Sequence, residues 1–296
     1  MSNFHEQQAQ IARDLYIKGM TAASMLTDWR DAKAIAQQRV SAALTATANL
    51  TDIPTALTAS AEHLAALRRL LAPPASQDQF ALLCPTYKKS KENRGSALSA
   101  AEAAAIAKVI EEWRDKDLTP WLDAKRSANA TEVEALAVAL TPLYALQIVG
   151  TVRRNRLSAQ QEGEVILLLR KLGWTQRAIP LVSQSQLGAK EFAHKTRFET
   201  KTRPQEVDVA CGLKKGVVLA MECKVTNDHT NSIKRINDIL KKAQAWKEHW
   251  GSFVQTAALL QGVIKPKDVK RLLDADVEVF WSHRLSDFES WLGARV

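Results

Sequence analysis

The chain has 296 residues, 46% of them apolar and 25% charged, with a formal net charge of +9. That is long enough for one large domain or a core with an accessory domain, and the balance is that of a globular protein rather than a disordered or collagenous one. No run approaches the ~20 apolar residues that span a bilayer, and Met1-Ser-Asn-Phe-His-Glu6 lacks the basic-then-apolar pattern of a signal peptide. Three widely spaced cysteines (Cys84, Cys211, Cys223) exclude a disulfide framework or a structural zinc. Cytoplasmic residence, with no membrane partner, is the expectation.

The charge is unevenly placed. Residues 1–72 contribute +1 and the remainder +8. A basic excess confined to one part of a chain suits a polyanionic partner, although a merely basic surface has the same composition.

Residues 1–72 are rich in Ala, Leu and Thr, and their periodicity predicts helices over about 4–27, 29–48 and 55–71, a small bundle. His5 and His63 are isolated and read as packing or surface groups. Pro73-Pro74 and the polar residues after them mark a joint. The segment after Cys84-Pro85 carries Lys88, Lys89, Lys91 and Arg94 before Gly95, either a phosphate-binding loop or a solvated one. Ser99 with Glu102 three residues on forms a capping box and opens a helix to about Asp115. A further helix is expected from Thr131 to about Arg154, interrupted or kinked near Pro142. Its basic end includes Arg153 and Arg154, which suit helix capping or phosphate contact. Ser158 then starts a helix closed by Gly173, with Glu162 on its apolar stripe. A carboxylate there needs a partner, and a metal ion, a basic side chain or the helix dipole would supply one.

The period then shortens. Glu191–Phe198 reads as an irregular edge strand, and Glu206–Gly212 and Val217–Lys224 read as a hairpin turning at Leu213-Lys-Lys-Gly216. Two more strands come after it, Val254–Val263 and Val277–Trp281, separated by helices from Thr230 to about Trp250 and from Lys267 to Leu273. The period of 2 sets Glu222 and Lys224 on one face, and the hairpin brings Asp208 to it. Two carboxylates and an ammonium at a sheet rim are costly unless a cation or substrate uses them. The trio reads as a divalent-metal site for phosphodiester hydrolysis. Cys223 points to the other face, and Glu206 is an exposed or supporting carboxylate. The helix after the hairpin is expected to bury Ile233, Ile236, Leu240, Ala243 and Trp250. Its start, Asn231, Ser232, Lys234 and Arg235, is expected near a bound phosphate. His283 follows a strand end and is left out of the chemistry.

Asp208, then Glu222-Cys223-Lys224, with Glu162 on the preceding helix and a crossover helix behind, resembles the PD-(D/E)XK nuclease superfamily; the Pro often found before the first Asp is Val207 here. The wording around the motif is similar to the XamI-type restriction endonucleases over roughly residues 80–292. It includes Cys84-Pro85, Thr151-Val-Arg-Arg-Asn155, Gln161-Glu162, Glu222-Cys-Lys-Val-Thr-Asn227, Asn231-Ser-Ile-Lys-Arg-Ile-Asn237 and Phe280-Trp-Ser-His283. The resemblance implies an α/β (α+β) fold, a mixed sheet flanked by helices, with an N-terminal helical region. The expected division is 1–75, 76–157 and a nuclease core at 158–296. It further implies Mg²⁺-dependent cleavage of double-stranded DNA by a type II homodimer paired genetically with a methyltransferase. Asp208, Glu222 and the backbone carbonyl of Cys223 would be metal ligands, with Glu162 as a candidate fourth, and Lys224 would hold the attacking water. A repair or junction nuclease of the same fold, or a DNA-binding protein with a dead site, are the alternatives.

Overall fold

The computed structural model describes residues 3–296. Its helices are α1 (Asn3–Gly19), α2 (Ala22–Ala46), α3 (Ile53–Ala59), α4 (Leu64–Leu67), α5 (Gln77–Leu83), α6 (Lys89–Arg94), α7 (Ala100–Trp113), α8 (Pro120–Asp123), α9 (Ala130–Lys171), α10 (His229–Trp250), α11 (Pro266–Asp274) and α12 (Leu285–Gly293). Its strands are β1 (Thr175–Arg177), β2 (Glu191–Phe198), β3 (Gln205–Gly212), β4 (Val218–Thr226), β5 (Val254–Gly262) and β6 (Glu278–Trp281). The chain forms two compact units, Ala22–Arg153 and a second that joins the segment up to Thr21 with Arg154–Val296.

The first unit is helical around one core, in which Val40, Leu57, Leu64, Leu67, Phe80, Ile106, Trp121 and Leu140 are buried together. Its short helices are fixed at their starts by side chains. Ser76 and Gln79 make a capping box, as do Ser99 and Glu102. The expected joint at Pro73-Pro74 is no boundary. Ala72 N–H donates to the Trp113 carbonyl at 2.8 Å, Ala75 N–H donates to the Arg68 carbonyl at 3.0 Å, and the Arg68 guanidinium holds the Ala75 carbonyl at 2.6 Å. Chain tied on both sides of the prolines cannot separate a 1–75 bundle from the helices C-terminal to it.

One helix replaces the two expected between 131 and 172. α9 runs 42 residues without a break, with Pro142 inside it and Ser158 as an interior residue rather than a cap. Residues 151–158 contain neither Gly nor Pro, so nothing there stops propagation. The stop comes at Gly173, in the left-handed region at φ 78°, where Trp174 N–H bonds back to the Leu169 carbonyl at 3.0 Å. Over one stretch α9 is long and apolar enough to cross a membrane, by length and composition only. This departs from the sequence expectation. Leu136, Leu140, Tyr144, Ala145 and Ile148 of α9 are buried in the helical core, while Val138 and Leu146 are exposed.

The second unit is built on a six-stranded sheet in the order β1-β2-β3-β4-β5-β6. The β2–β3 and β3–β4 pairs are antiparallel, and β1–β2, β4–β5 and β5–β6 are parallel. The expected hairpin is β3–β4. β2 is not an edge strand, because β1 pairs along it. α10 and α11 supply the crossovers that parallel neighbours require. On one face Val165, Leu169, Phe288 and Leu292 from α9 and α12 cover Val209, Met221, Cys223 and Leu259. On the other, Ile236, Ile239 and Ala243 of α10 cover Ala258 and Leu260, while Trp246 and Trp250 cover Val207, Ala210 and Ala220. α1 belongs here, not to the helical unit. Its Ala9 and Ala12 are buried with Ile264, Val269 and Trp281, and Trp281 Nε1 donates to His5 Nδ1 at 3.3 Å. Burial holds His5 below its ordinary pKa, which suits an accepting, neutral imidazole. The architecture is the expected mixed α/β sheet flanked by helices.

Candidate active site

The β3–β4 ladder runs from Gly212↔Val218 to Val209↔Met221 and stops there. Extending that register sets Asp208 opposite Glu222. Asp208 turns its carboxylate into the vacated ladder position, where Oδ2 accepts the Cys223 backbone N–H at 2.8 Å. Lys224, two residues beyond Glu222, lies on the same face by strand alternation. Its Nζ donates to Asp208 Oδ2 at 3.2 Å and to Glu222 Oε2 at 2.6 Å. The three side chains singled out in the sequence are therefore assembled at one point.

A fourth side chain joins them. Lys242, in the fourth turn of α10, donates to Glu222 Oε1 at 3.0 Å, to Glu222 Oε2 at 2.9 Å and to the Glu206 carbonyl at 2.8 Å. The Glu222 side chain is 0% exposed, and those of Asp208, Lys224 and Lys242 are 11–15% exposed. Two carboxylates thus meet two ammonium groups in a nearly closed site. Burial raises the Glu222 carboxyl above its ordinary pKa even against Lys224 and Lys242, with Asp208 adding to the rise. For Lys224, burial works against the charge, but Glu222 and Asp208 outweigh it and raise its pKa. With both carboxylates as its partners, Lys224 is an ammonium that donates hydrogen bonds and positive charge.

The donor set suits a small, hard divalent cation. Asp208 and Glu222 offer carboxylate oxygens. The Cys223 carbonyl leaves the strand on the same side as its N–H, toward β3, where the ladder has ended. The Cys223 side chain is buried on the opposite face against α9, and its thiol is held well above its ordinary pKa by burial and by Asp208 and Glu162. It has no part in nucleophilic chemistry.

Glu162 does not join this set. Its Oε2 is taken by His194 Nε2 at 2.8 Å and Lys195 Nζ at 3.1 Å, both on β2. Among the described residues no group of three or more His, Cys, Asp or Glu side chains converges as metal ligands. In this structure the partners of Glu162 are the basic side chains His194 and Lys195. Lys195 sits at a backbone irregularity (φ 47°), where the β2–β3 register passes from His194↔Val209 to Thr196↔Val207 and so leaves it opposite Asp208. The Glu162 hydrogen bond raises the Lys195 pKa, with Asp208 and Glu206 contributing, so this ammonium links Glu162 electrostatically to the site. No motif marks Lys195 or His194, and Lys242 stands at helical spacing with Asn231, Arg235 and Asp238, a stripe that by sequence alone reads as a solvated face.

The expected DNA-contact residues divide into paired and unpaired groups. Lys88 and Lys91 pair with Glu102 at 3.5 and 2.8 Å, Lys89 pairs with Asp78, and Arg153 pairs with Asp28 at 3.5 Å. The segment at 89–94 is a helical turn, not a loop, closed by Gly95 at φ 63°. Arg94 and Arg154 are exposed. On α10, Asp228 caps the helix by accepting Asn231 N–H at 2.8 Å, and the Asn231 side chain bonds back to Asn227 at 3.0 Å. Ser232 is a correction. It is buried and its hydroxyl meets Asp268 Oδ2 at 3.3 Å, while Ile233, expected inside, is exposed. The buried stripe of α10 is Ser232, Ile236, Ile239, Ala243, Trp246 and Trp250, and buried Asp268 on α11 gives the Ser232 hydroxyl a partner inside. Lys234 is exposed and Arg235 half-buried.

The family model described as XamI restriction endonuclease matches residues 48–281. The Type II restriction enzyme XamI of Xanthomonas campestris pv. amaranthicola is 31% identical over 193 residues, which cover 63% of this chain and 67% of that enzyme. Among solved structures, protein VC1899 from Vibrio cholerae matches at 12% identity and a TM-score of 0.32. That match covers 90% of this chain but only 57% of VC1899, a likeness too distant to bear on fold or function. The family match spans most of the chain and contains Asp208, Glu222 and Lys224, so the chain belongs to the XamI restriction endonuclease family.

Proposed function

We propose that the protein is a type II restriction endonuclease that hydrolyses phosphodiester bonds in double-stranded DNA with Mg²⁺ as cofactor. The observation that carries this reading is the bridge made by Lys224 between Asp208 and Glu222, at 3.2 and 2.6 Å, on adjacent antiparallel strands. Asp208, Glu222 and the Cys223 carbonyl would hold the cation. When bound, it would polarise the scissile phosphate and make its water a stronger nucleophile. Lys224, as an ammonium, would orient the attacking water by donating to it and would offset the negative charge that develops on the phosphate oxygens. Asp208 keeps the Lys224 ammonium and the Cys223 backbone in register with each other. The buried Glu222 excludes solvent from the inner side of the site.

Family membership supports the substrate class, and two-fold DNA sites are commonly read by two-fold proteins, so the acting species is a homodimer. A cognate DNA methyltransferase is its genetic partner, and the cytoplasm, where the DNA lies, is its location. Arg94, Arg154, Lys234 and Arg235 are its phosphate contacts.

Digestion of plasmid DNA by the purified protein tests the reading. With Mg²⁺, discrete fragments that vanish in EDTA are expected. A smear, or intact plasmid at high enzyme concentration, would overturn it.

A further inference from the structure

We infer that Lys242 is an internal counter-ion of the cleavage site, a positioning residue that holds Glu222 in place without metal and gives way when a divalent cation binds. The inference rests on the nuclease reading of Asp208 and Glu222. Its ground is the way the Glu222 carboxylate is shared. Lys242 spans both oxygens, at 3.0 and 2.9 Å, which is the grip a cation chelated by that carboxylate would have. Lys224 takes only Oε2 and is tied as well to Asp208.

The two ammonium groups differ in what restrains them. Lys224 stands on β4 with Glu222, and both its carboxylate partners lie on the hairpin. Lys242 reaches in from α10, and its remaining partner is a single backbone carbonyl, that of Glu206. A divalent ion entering beside Asp208 and Glu222 would put four positive charges around two negative ones if both lysines stayed. Like charges in a desolvated site repel strongly, and the less restrained ammonium is the one that leaves. Its four-carbon stem lets it swing toward solvent without moving α10. Without metal the same ammonium is needed, because a fully buried carboxylate with one shared cation is poorly compensated.

Competition between Lys242 and the metal can be read without catalysis. Mn²⁺ binding to the full-length protein, without DNA, is measured by calorimetry for the parent, Lys242→Met, Lys242→Gln, Lys242→Arg and Asp208→Asn. Removing the competing charge should tighten Mn²⁺ binding in Lys242→Met roughly tenfold. Lys242→Arg should stay near the parent and Asp208→Asn should lose the ion. The neutral variant should also be less heat-stable than the parent without Mn²⁺ and gain more from its addition. If Lys242→Met does not fold without ion, Lys242→Gln, which keeps one hydrogen bond to Glu222, carries the comparison. Neutral variants that bind Mn²⁺ no more tightly than the parent overturn the counter-ion. A parent that binds no Mn²⁺, indistinguishable from Asp208→Asn, removes the cleavage-site reading itself and this inference with it.

Discussion

Asp208 Oδ2 accepts the backbone N–H of Cys223 at 2.8 Å, a side chain standing in for the ladder partner that β3 no longer provides. The bond couples strand geometry to chemistry, since the same oxygen receives the Lys224 ammonium at 3.2 Å. Asp208→Asn preserves an acceptor for the Cys223 N–H while removing the charge. The expected result is a folded protein with cleavage reduced at least about 10²–10³-fold, the scale on which loss of one preorganised electrostatic group is felt. Single-turnover cleavage beside a thermal unfolding curve checks it. Near-parent cleavage would show that the charge of Asp208 is not used.

Lys224→Ala should separate binding from cutting. The ammonium is one of two cations on Glu222 and makes only a small part of the protein's surface, with its side chain 12% exposed. DNA affinity measured with Ca²⁺ in place of Mg²⁺ is expected within a few-fold of the parent, while cleavage disappears. Parallel loss of both would mean that Lys224 holds the substrate rather than the reacting water.

The buried pair Arg68–Glu92 is the electrostatic anchor of the helical unit. Arg68 Nη2 and Nε donate to the two Glu92 oxygens at 2.6 and 3.0 Å, with Arg68 0% exposed, and Tyr87 donates to the same carboxylate. Glu92 therefore neighbours Lys91 and Arg94 in sequence but faces inward, tying that basic segment to the helical core. Arg68→Ala strands a buried carboxylate and should cost about 3–5 kcal/mol of stability. Urea unfolding followed by circular dichroism measures it. A cost below about 1 kcal/mol, the range of an exposed pair, would contradict the burial.

Acid should loosen the same unit. Hydrogen bonds from Lys91 and the Ser99 backbone lower the Glu102 pKa to about 2, and those from Arg126 and the Asn129 backbone lower that of Glu132 to about 2. A depressed folded-state pKa stabilises above the unfolded value, 4.5, and that contribution is lost as pH falls from there toward 2. The urea midpoint should therefore drop across this window. A Glu102→Gln, Glu132→Gln double variant should start lower at neutral pH and show a shallower drop. An identical pH dependence in the variant and the parent would refute the assignment.

Cations without carboxylate partners should carry the DNA backbone. Arg154→Ala, Lys234→Ala and Arg235→Ala should each weaken binding about equally for cognate and non-cognate duplexes. Each should also lower the slope of log affinity against log salt by about 1. Lys88→Ala and Lys89→Ala, whose ammonium groups already pair with Glu102 and Asp78, should change the slope less. The reverse order would return the contact to the 88–91 segment.

Along the chain, the legible features were local. The capping box at Ser99–Glu102, the helix stop at Gly173 and the β3–β4 hairpin each depend on residues within a few positions of one another. Strand alternation alone was enough to put Glu222 and Lys224 on one face. The misreadings share the opposite cause. Ser158 and Pro73-Pro74 carry real local signals for a helix start and a break, yet α9 runs through the first, and long-range hydrogen bonds to Arg68 and Trp113 absorb the second.

By itself, then, the sequence determined the Asp208, Glu222, Lys224 trio and the mixed sheet that displays it, because period and turn chemistry act over a few residues. Only the tertiary structure decided that Lys242 reaches Glu222, that His194 and Lys195 take Glu162, that Asp268 draws Ser232 inward, and that α1 belongs with the sheet. Each of these joins residues from elements far apart in the chain or from different strands and helices. Which of them meet is set by how buried charges and hydroxyls find partners once the layers pack, and no periodicity in one segment encodes that.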